Sequence, residues 1–241
     1  MVIHRFFAPE LFEAPDGLVE LPEAEGRHAV KVLRLRPGDD VLLLDGRGGL
    51  GEAELAESSR DGRRVVCRIG RRWRVPSPSR RWHLHVALPH GKAADLVFRM
   101  ATELGFWRMT PIICQYSVAR PTDISGSWAA ILQTACKQSV NPWMPELSAP
   151  LPFDAALAAA PPMGFYGAVP GDCRPSMPQC PADDGDFSLW IGPEGGFSPN
   201  ECEALAGHGL APLTVGGWTL RVETAVAALG GCVMRTGSPN A

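Results

Sequence analysis

The sequence predicts an α/β protein with a small, mostly-β unit at its front, and three observations carry the prediction. In "FSLWIGPEGGF", Phe187–Phe197, an apolar run breaks off at Gly192-Pro193-Glu194-Gly195-Gly196. That is the pattern of a buried strand entering a turn that only glycines can make. The arrangement then recurs, with apolar Leu213–Val215, a second turn at Gly216-Gly217, and "LRVETA" opening a helix. At the front, residues 1–73 alternate short apolar strands with glycine-containing turns.

Taken in order, "VIHRFF" reads as a first strand and Gly17–Leu21 as a second. Glu23–Arg34 carries Ala29, Val30 and Leu33 at helical spacing and is expected to form one short helix. "DDVLLLDGRGG" ends a third strand at an Asp-Gly turn, followed by strands over Leu50–Ser58 and Arg63–Gly70. Val75-Pro76-Ser77-Pro78-Ser79 is an extended connector, placing the domains at 1–73 and 80–241. Beyond it, Trp82–Leu88 is a strand and Lys92–Leu104 an amphipathic helix stopped by Gly105. A strand over Met109–Cys114 and a helix over Trp128–Val140 follow. Phe153–Ala159 reads as a helix, Phe165–Val169 as a strand, and Gly171–Gly185 as a rim-forming loop. Ser198-Pro199-Asn200-Glu201 has the residues of a capping box with proline at the first helical position.

Composition narrows the class. With 241 residues, 45% of them hydrophobic, the chain can build real cores. Neither a membrane-length apolar run nor a secretory leader is legible, so a cytoplasmic protein is expected. The seven cysteines are scattered and never form Cys-x-x-Cys, so they read as reduced, mostly buried thiols. Net charge is only −3, but it is unevenly divided: residues 1–81 hold 15 Lys+Arg against 13 Asp+Glu, and the remainder 8 against 13. Nine arginines crowd Arg60–Arg81, with Trp73 between them and Trp82 just beyond. Such a strip suits phosphate oxygens and base stacking, and it equally suits a solvated strand face. His83 and His85 share one strand face, near His90, but without a further ligand nearby no metal site is expected.

The glycine turns are the best candidate for chemistry. The stretch contains neither Gly-x-x-x-x-Gly-Lys-Ser/Thr nor Gly-x-Gly-x-x-Gly, which removes the two common phosphate-cradling fingerprints. Two adjacent strand ends with glycine turns would wrap a flat, weakly charged ligand through backbone hydrogen bonds, as an adenine and its ribose require. Two tight turns in an ordinary α/β sheet would look the same.

"IGPEGGFSPNE" with "LRVETAVAAL" at this separation resembles the cofactor end of the SPOUT methyltransferases. "HRFF" at His4–Phe7, "HAVKVLRLRPGDDVLLLDG" at His28–Gly46 and "RMATELGF" are similar to one branch, the ribosomal RNA small subunit methyltransferase E family. The resemblance implies a C-terminal domain of mostly parallel sheet flanked by helices, threaded as a deep trefoil knot, behind a PUA-like β-barrel used for RNA. It implies S-adenosylmethionine as cofactor, a homodimer, and methylation of uracil N3 in 16S rRNA, free or in the small subunit. The cofactor site it implies takes Gly167 and Ala168 from one loop and Ile191, Gly192, Pro193, Glu194, Gly195 and Gly196 from the next. Val215, Gly216, Leu220, Arg221, Glu223, Thr224 and Ala225 complete it. Arg5, His28, Arg34, Arg71, Arg72, Lys92 and Gln138 are the residues expected at RNA, and Glu103 is a candidate substrate or interface residue. Lys137, Gln138 and Pro145 match a family segment, but Asn141 stands where the family usually has arginine.

Uracil N3 carries a proton and attacks only once that proton is lost, so the reaction needs either a proton acceptor or stabilisation of the anion on O2 and O4. Arg221 is the candidate for the second role, unless it is tied up by Glu194 or Glu223. Glu223 is the candidate for orienting the base or taking the proton, and it also suits the first turn of a helix for purely structural reasons. A knotted methyltransferase with another base or a ribose 2′-hydroxyl as target, and a non-catalytic RNA-binding factor, are the alternatives.

Overall fold

The computed structural model describes residues 3–14, 16–171 and 184–235. Residues 172–183, most of the expected Gly171–Gly185 loop, lie outside the described residues. The chain divides into two compact units, Met1–Ser77 with Gln133–Met144, and Pro78–Leu132 with Pro145–Ala241. The first unit therefore takes in a segment that lies far inside the C-terminal half of the expected division.

In the first unit, β1 (His4–Phe7), β2 (Leu18–Glu20), β3 (Asp40–Leu44), β4 (Gly49–Ser58) and β5 (Val65–Arg74) form one sheet in the order β1-β3-β4-β5-β2. Only β1 and β3 run parallel. Alternation puts Phe6, Val41, Leu43, Leu55, Val65 and Cys67 on the buried side, where they close a core with Leu11, Val19 and Leu21. The Asp-Gly turn forms because the buried Asp45 carboxylate accepts from Arg47 N and Gly49 N, each at 2.7 Å, while Gly46 takes φ +75°. Gly48 is required by contact: a Cβ there would lie 2.3 Å from the Trp143 ring. Gly48 N also donates to Pro142 O at 2.8 Å, and Asn141 Oδ1 accepts from Trp143 N at 3.0 Å, which ties residues 141–143 to this unit.

The helix expected over Glu23–Arg34 is shorter and changes type. Helix α1 (Glu23–Arg27) runs into a π-helical turn, His28–Val32, in which Leu33 N reaches back five residues to His28 O at 3.0 Å. Arg34 then takes φ +58°, a left-handed conformation that ends the helix before it. Strand β5 is longer than expected and carries the arginine strip as far as Arg74.

The second unit alternates strands and helices. Its elements are β6 (Arg80–Val86), α2 (Lys92–Leu104), β7 (Arg108–Ile113), α3 (Gly126–Ser139), β8 (Glu146–Leu147), β9 (Leu151–Pro152), α4 (Phe153–Ala159), β10 (Gly164–Gly167), β11 (Gly185–Ile191), α5 (Pro199–Gly207), β12 (Leu210–Leu213) and α6 (Val222–Arg235). The last part of α3, from Gln133, belongs to the first unit. The sheet runs β12-β10-β11-β6-β7-β8 with every pairing parallel, and β9 pairs with β7. Strand β11 is buried through Phe187–Ile191, as a continuous apolar run in the middle of a covered parallel sheet must be. Gly164, at φ +147°, lets β10 pack on β11: a Cβ there would fall 1.9 Å from Ser188 O.

One expectation needs correcting. The strands that carry the two glycine turns, β11 and β12, are not neighbours, because β10 lies between them. Consecutive placement in sequence gave no hint of this insertion.

Helix α6 buries Val222, Val226, Leu229 and Val233 within the chain itself. Its Gly230 permits close approach, since a Cβ would meet Leu104 Cδ1 of α2 at 2.9 Å and Phe106 at 3.1 Å.

Candidate functional site

The carboxyl ends of three strands converge on one cavity, the usual place for a ligand on an open parallel sheet. Gly167–Pro170 after β10 form one wall, and Ile191–Glu194 with Gly196 after β11 form the second. Thr214, Val215 and Trp218–Leu220 form the third, and Val222, Ala225 and Leu229 of α6 close it. About 550 Å³ of space lies between these walls, part of it open solvent.

Each wall has a local cause. After β11, Gly196 N donates to Pro193 O at 2.8 Å and Gly196 takes φ +74°, so the turn closes on itself. The helix that follows is capped as its sequence announces: Ser198 Oγ accepts from Glu201 N at 3.3 Å, and the Glu201 carboxylate accepts from Ser198 N at 2.8 Å. The other oxygen of this buried carboxylate accepts from Gln115 N at 2.8 Å, joining the loop after β7 to the same turn. Between the other two walls, Ala168 N donates to Leu213 O at 2.9 Å.

Most of the residues in the walls are glycine or carry small or aliphatic side chains. Space is tight at three of these glycines: a Cβ on Gly192 would come 3.2 Å from backbone atoms of Gly196 and Phe197, one on Gly196, which is also left-handed, 3.3 Å from Val169 Cγ2, and one on Gly167 3.1 Å from Leu229 Cδ1.

Of the residues expected at a cofactor, Gly167, Ala168, Ile191, Gly192, Pro193, Glu194, Gly196, Val215, Leu220 and Ala225 border this cavity. Gly195, Gly216, Arg221, Glu223 and Thr224 do not. Gly195 faces Tyr116 instead, whose Cβ is 3.3 Å from where its own Cβ would be. Glu223 and Thr224 are turned roughly 100° and 200° around α6 from Val222, whose face they cannot share. Val222, Ala225 and Leu229 repeat at three and four residues, so that face was readable from helical spacing. Val169, Pro170, Thr214, Trp218 and Thr219 carried no comparable signal.

Arg221 is exposed just before α6 and forms no ion pair with Glu194, Glu223 or any other acid among the described residues. Glu223 is half-buried in the first turn of that helix, where a carboxylate meets the positive end of the dipole.

Arg5, His28 and Gln138 line a second cavity, within the first unit, with Glu25 and Lys137. Here Arg5 is already engaged, as its Nη1 donates to Lys137 O at 3.3 Å and Gln138 O at 3.0 Å and caps the end of α3. Lys137 is paired with Glu25, both largely buried, and Glu25 also accepts from Phe7 N at 3.1 Å. His28 is exposed, with its ring 6.4 Å from Phe6.

Much of the arginine strip is likewise bound to the protein. Arg72 donates to Leu11 O and Ala14 O at 3.0 and 3.3 Å and lies over Phe12, while Arg71 lies over Trp73. Arg74 lies 4.1 Å over Phe12, and Arg63 and Arg64 meet acidic partners. Arg34, Lys92 and Glu103 are exposed. Asn141, at the position where arginine was expected, holds Trp143 in place through its side-chain oxygen.

His83 Nε2 lies 3.3 Å from Asp186 Oδ1, and burial outweighs that carboxylate in lowering its pKa. Among the described residues, no group of three or more His, Cys, Asp or Glu side chains is placed to hold a metal ion. Cys67, Cys114 and Cys136 are free buried thiols whose pKa burial raises to about 12. No described helix is long and apolar enough to cross a membrane.

Residues 76–234 match the RNA methyltransferase domain family, and residues 21–66 match the RNA methyltransferase PUA domain. The ribosomal RNA small subunit methyltransferase E of Mycobacterium bovis is 29% identical over 97% of this chain and 92% of its own length. A methyltransferase from Legionella pneumophila, solved with bound S-adenosylmethionine, superposes with a TM-score of 0.85 at 27% identity, covering 98% of both chains. The ribosomal RNA small subunit methyltransferase E of Neisseria gonorrhoeae, bound to the same molecule, gives a TM-score of 0.85 at 26% identity, again over 98% of both chains.

Proposed function

The chain belongs to the RNA methyltransferase family, whose domain spans its residues 76–234, and on that premise we propose that it methylates N3 of a uracil in 16S ribosomal RNA using S-adenosylmethionine. The observation that carries the reading is the convergence of three strand-end loops on one cavity lined mainly by glycines and small or aliphatic residues. Relatives and neighbours along nearly the whole chain are small-subunit rRNA methyltransferases or hold S-adenosylmethionine, which supports the cofactor and the class of RNA.

The residues present fit that cofactor. An adenine is flat and its ribose uncharged, and Ile191, Leu220, Ala225 and Leu229 offer them apolar contact beside Gly192 and Gly196. The cradle is one that a side chain on Gly196 would fill. When bound, S-adenosylmethionine would supply an electrophilic methyl group on a sulfonium, and the neutral thioether left behind would need no acid to depart.

The protein's task is then to position the base and manage its proton. Arg221, exposed and without an acidic partner among the described residues, follows Leu220 of the cavity wall in sequence, and in this reading it stabilises negative charge on the uracil oxygens. Glu223 follows it in the first turn of α6, roughly 100° off the face that closes the cavity, so in this reading it orients the base or takes the N3 proton from outside the cofactor cavity. The N-terminal unit, divided from the cavity-bearing unit near Ser77, is the RNA-holding part. The chain acts as a homodimer.

Protein and methyl-labelled cofactor should be incubated with 16S rRNA, with assembled small subunits and with tRNA, followed by digestion to nucleosides. Label in N3-methyluridine from 16S rRNA or subunits is the expected result. Label in another nucleoside would move the target, and saturable cofactor binding without transfer to any RNA would make the chain a binding factor.

A further inference from the structure

Trp218 is 84% exposed, the most exposed of the large hydrophobic residues described, and it sits on the rim of the cavity. Its ring has no aromatic or cationic partner among the described residues. The turn that carries it stands clear of the protein, since a Cβ on Gly216 or Gly217 would meet nothing within 4 Å. An indole held in water beside a concave site leaves a large apolar face uncovered, and a planar apolar partner would cover it.

We propose that Trp218 is the platform on which the target nucleobase stacks while its reacting atom faces the cavity. The inference rests on the methyltransferase reading above and adds to it a residue that touches substrate. Enzymes that modify a base in RNA take it out of its stack, and the lost stacking has to be replaced by the protein. Trp218 supplies a π-face with few rotatable bonds, and Arg221, three residues on, supplies a cation for the same base. One side of the base then meets the indole, and its polar edge is left for Arg221 and Glu223.

The test compares wild type, Trp218→Phe and Trp218→Ala, all as full-length protein. Expected for Trp218→Ala is a fall in kcat/KM for RNA between about 5- and 150-fold, the range that base–aromatic stacking supports. Trp218→Phe should stay within about 5-fold of wild type, because it keeps a ring on which to stack. Because Trp218 also borders the cofactor cavity, calorimetric affinity for S-adenosylmethionine should fall by less than kcat/KM does, and the sedimentation coefficient should be unchanged in both. A uridine-containing single-stranded RNA oligomer should quench the wild-type fluorescence by an amount missing from Trp218→Phe.

Cofactor binding weakened in Trp218→Ala by as much as kcat/KM falls would make the residue a lid over the cofactor and overturn the proposal. Dissociation of an oligomer, or unchanged methylation by Trp218→Ala, would overturn it as well. Failure of the reading is distinguishable: wild type would then transfer no methyl to RNA, and Trp218-dependent quenching by the oligomer would alone decide whether the residue holds a base.

Discussion

The imidazole of His85 lies flat on the indole of Trp190, with ring centroids 4.2 Å apart and planes 9° from parallel. Neither ring nitrogen of His85 has a hydrogen-bond partner among the described residues. Burial, with smaller contributions from the charges of His83, Arg108 and His208, pushes its pKa down to about 3. The unfolded chain binds this proton near pH 6.5 and the folded chain only near 3, so stability rises with pH across that window and is lost as pH falls through it. At about pH 5 the loss is on the order of 2 kcal/mol. His85→Phe keeps the stacked ring and removes two unpartnered nitrogens. It should raise the melting temperature and flatten the acid side of the stability profile, as thermal melts between about pH 4.5 and 7.5 would register. An acid limb as steep as wild type would show that other groups set it.

Gly196 occupies a left-handed conformation with Val169 Cγ2 3.3 Å from its would-be Cβ. A Gly196→Val variant should lose at least about 10-fold in affinity for S-adenosylmethionine by calorimetry, while its melting temperature falls by roughly 2 to 8 °C, the cost of a side chain in a left-handed conformation. Unchanged affinity would place the cofactor elsewhere.

Arg221 has no acidic partner to lose among the described residues, so its removal should disturb the fold little. Arg221→Ala should cut kcat for methyl transfer by about 100-fold with cofactor affinity intact, and Arg221→Lys should recover only part of it. Single-turnover rates with saturating RNA separate this from weakened RNA binding, which would raise KM alone.

The pair between Lys137 and Glu25 is largely buried, with side-chain exposures of 18% and 12%. Lys137→Ala strands the carboxylate and should cost about 3 kcal/mol in urea unfolding. The double variant Lys137→Met/Glu25→Gln should be markedly milder, because the amide oxygen still accepts from Phe7 N and no charge is buried. Equal losses in the two proteins would mean that packing, not charge, dominates at this site.

Local chemistry made much of the molecule readable in advance. Lys92–Leu104 and Phe153–Ala159 form helices over the expected residues, and the capping box at Ser198 closes with both of its hydrogen bonds. These features depend on neighbours within four residues, which a sequence displays directly. What went unread depends on distant partners. No local pattern announces that β10 inserts between the strands bearing the glycine turns. Nor does the arginine strip reveal that Arg72 and Arg74 close over Phe12, since an arginine on a strand reads alike whether it faces solvent or a ring. The cavity followed the same division. Its glycine loops were visible, whereas the faces of α6 had to be sorted by rotation around a helix axis, and the threading of the chain rests on family resemblance because a crossing has no residue pattern.

The Trp143 ring seated on Gly48 has a consequence for how the molecule is made. The first unit ends at Ser77 and resumes at Gln133, so its parts leave the ribosome with the opening of the other unit between them. At about 5–20 residues per second, translation from Ser77 to Met144 takes on the order of 3 to 13 s, during which the nascent front sheet lacks the indole that covers its hairpin. A fragment cut at Ser77 would keep that vacancy permanently, so any working excision of the front unit has to carry residues 133–144 in trans or by fusion.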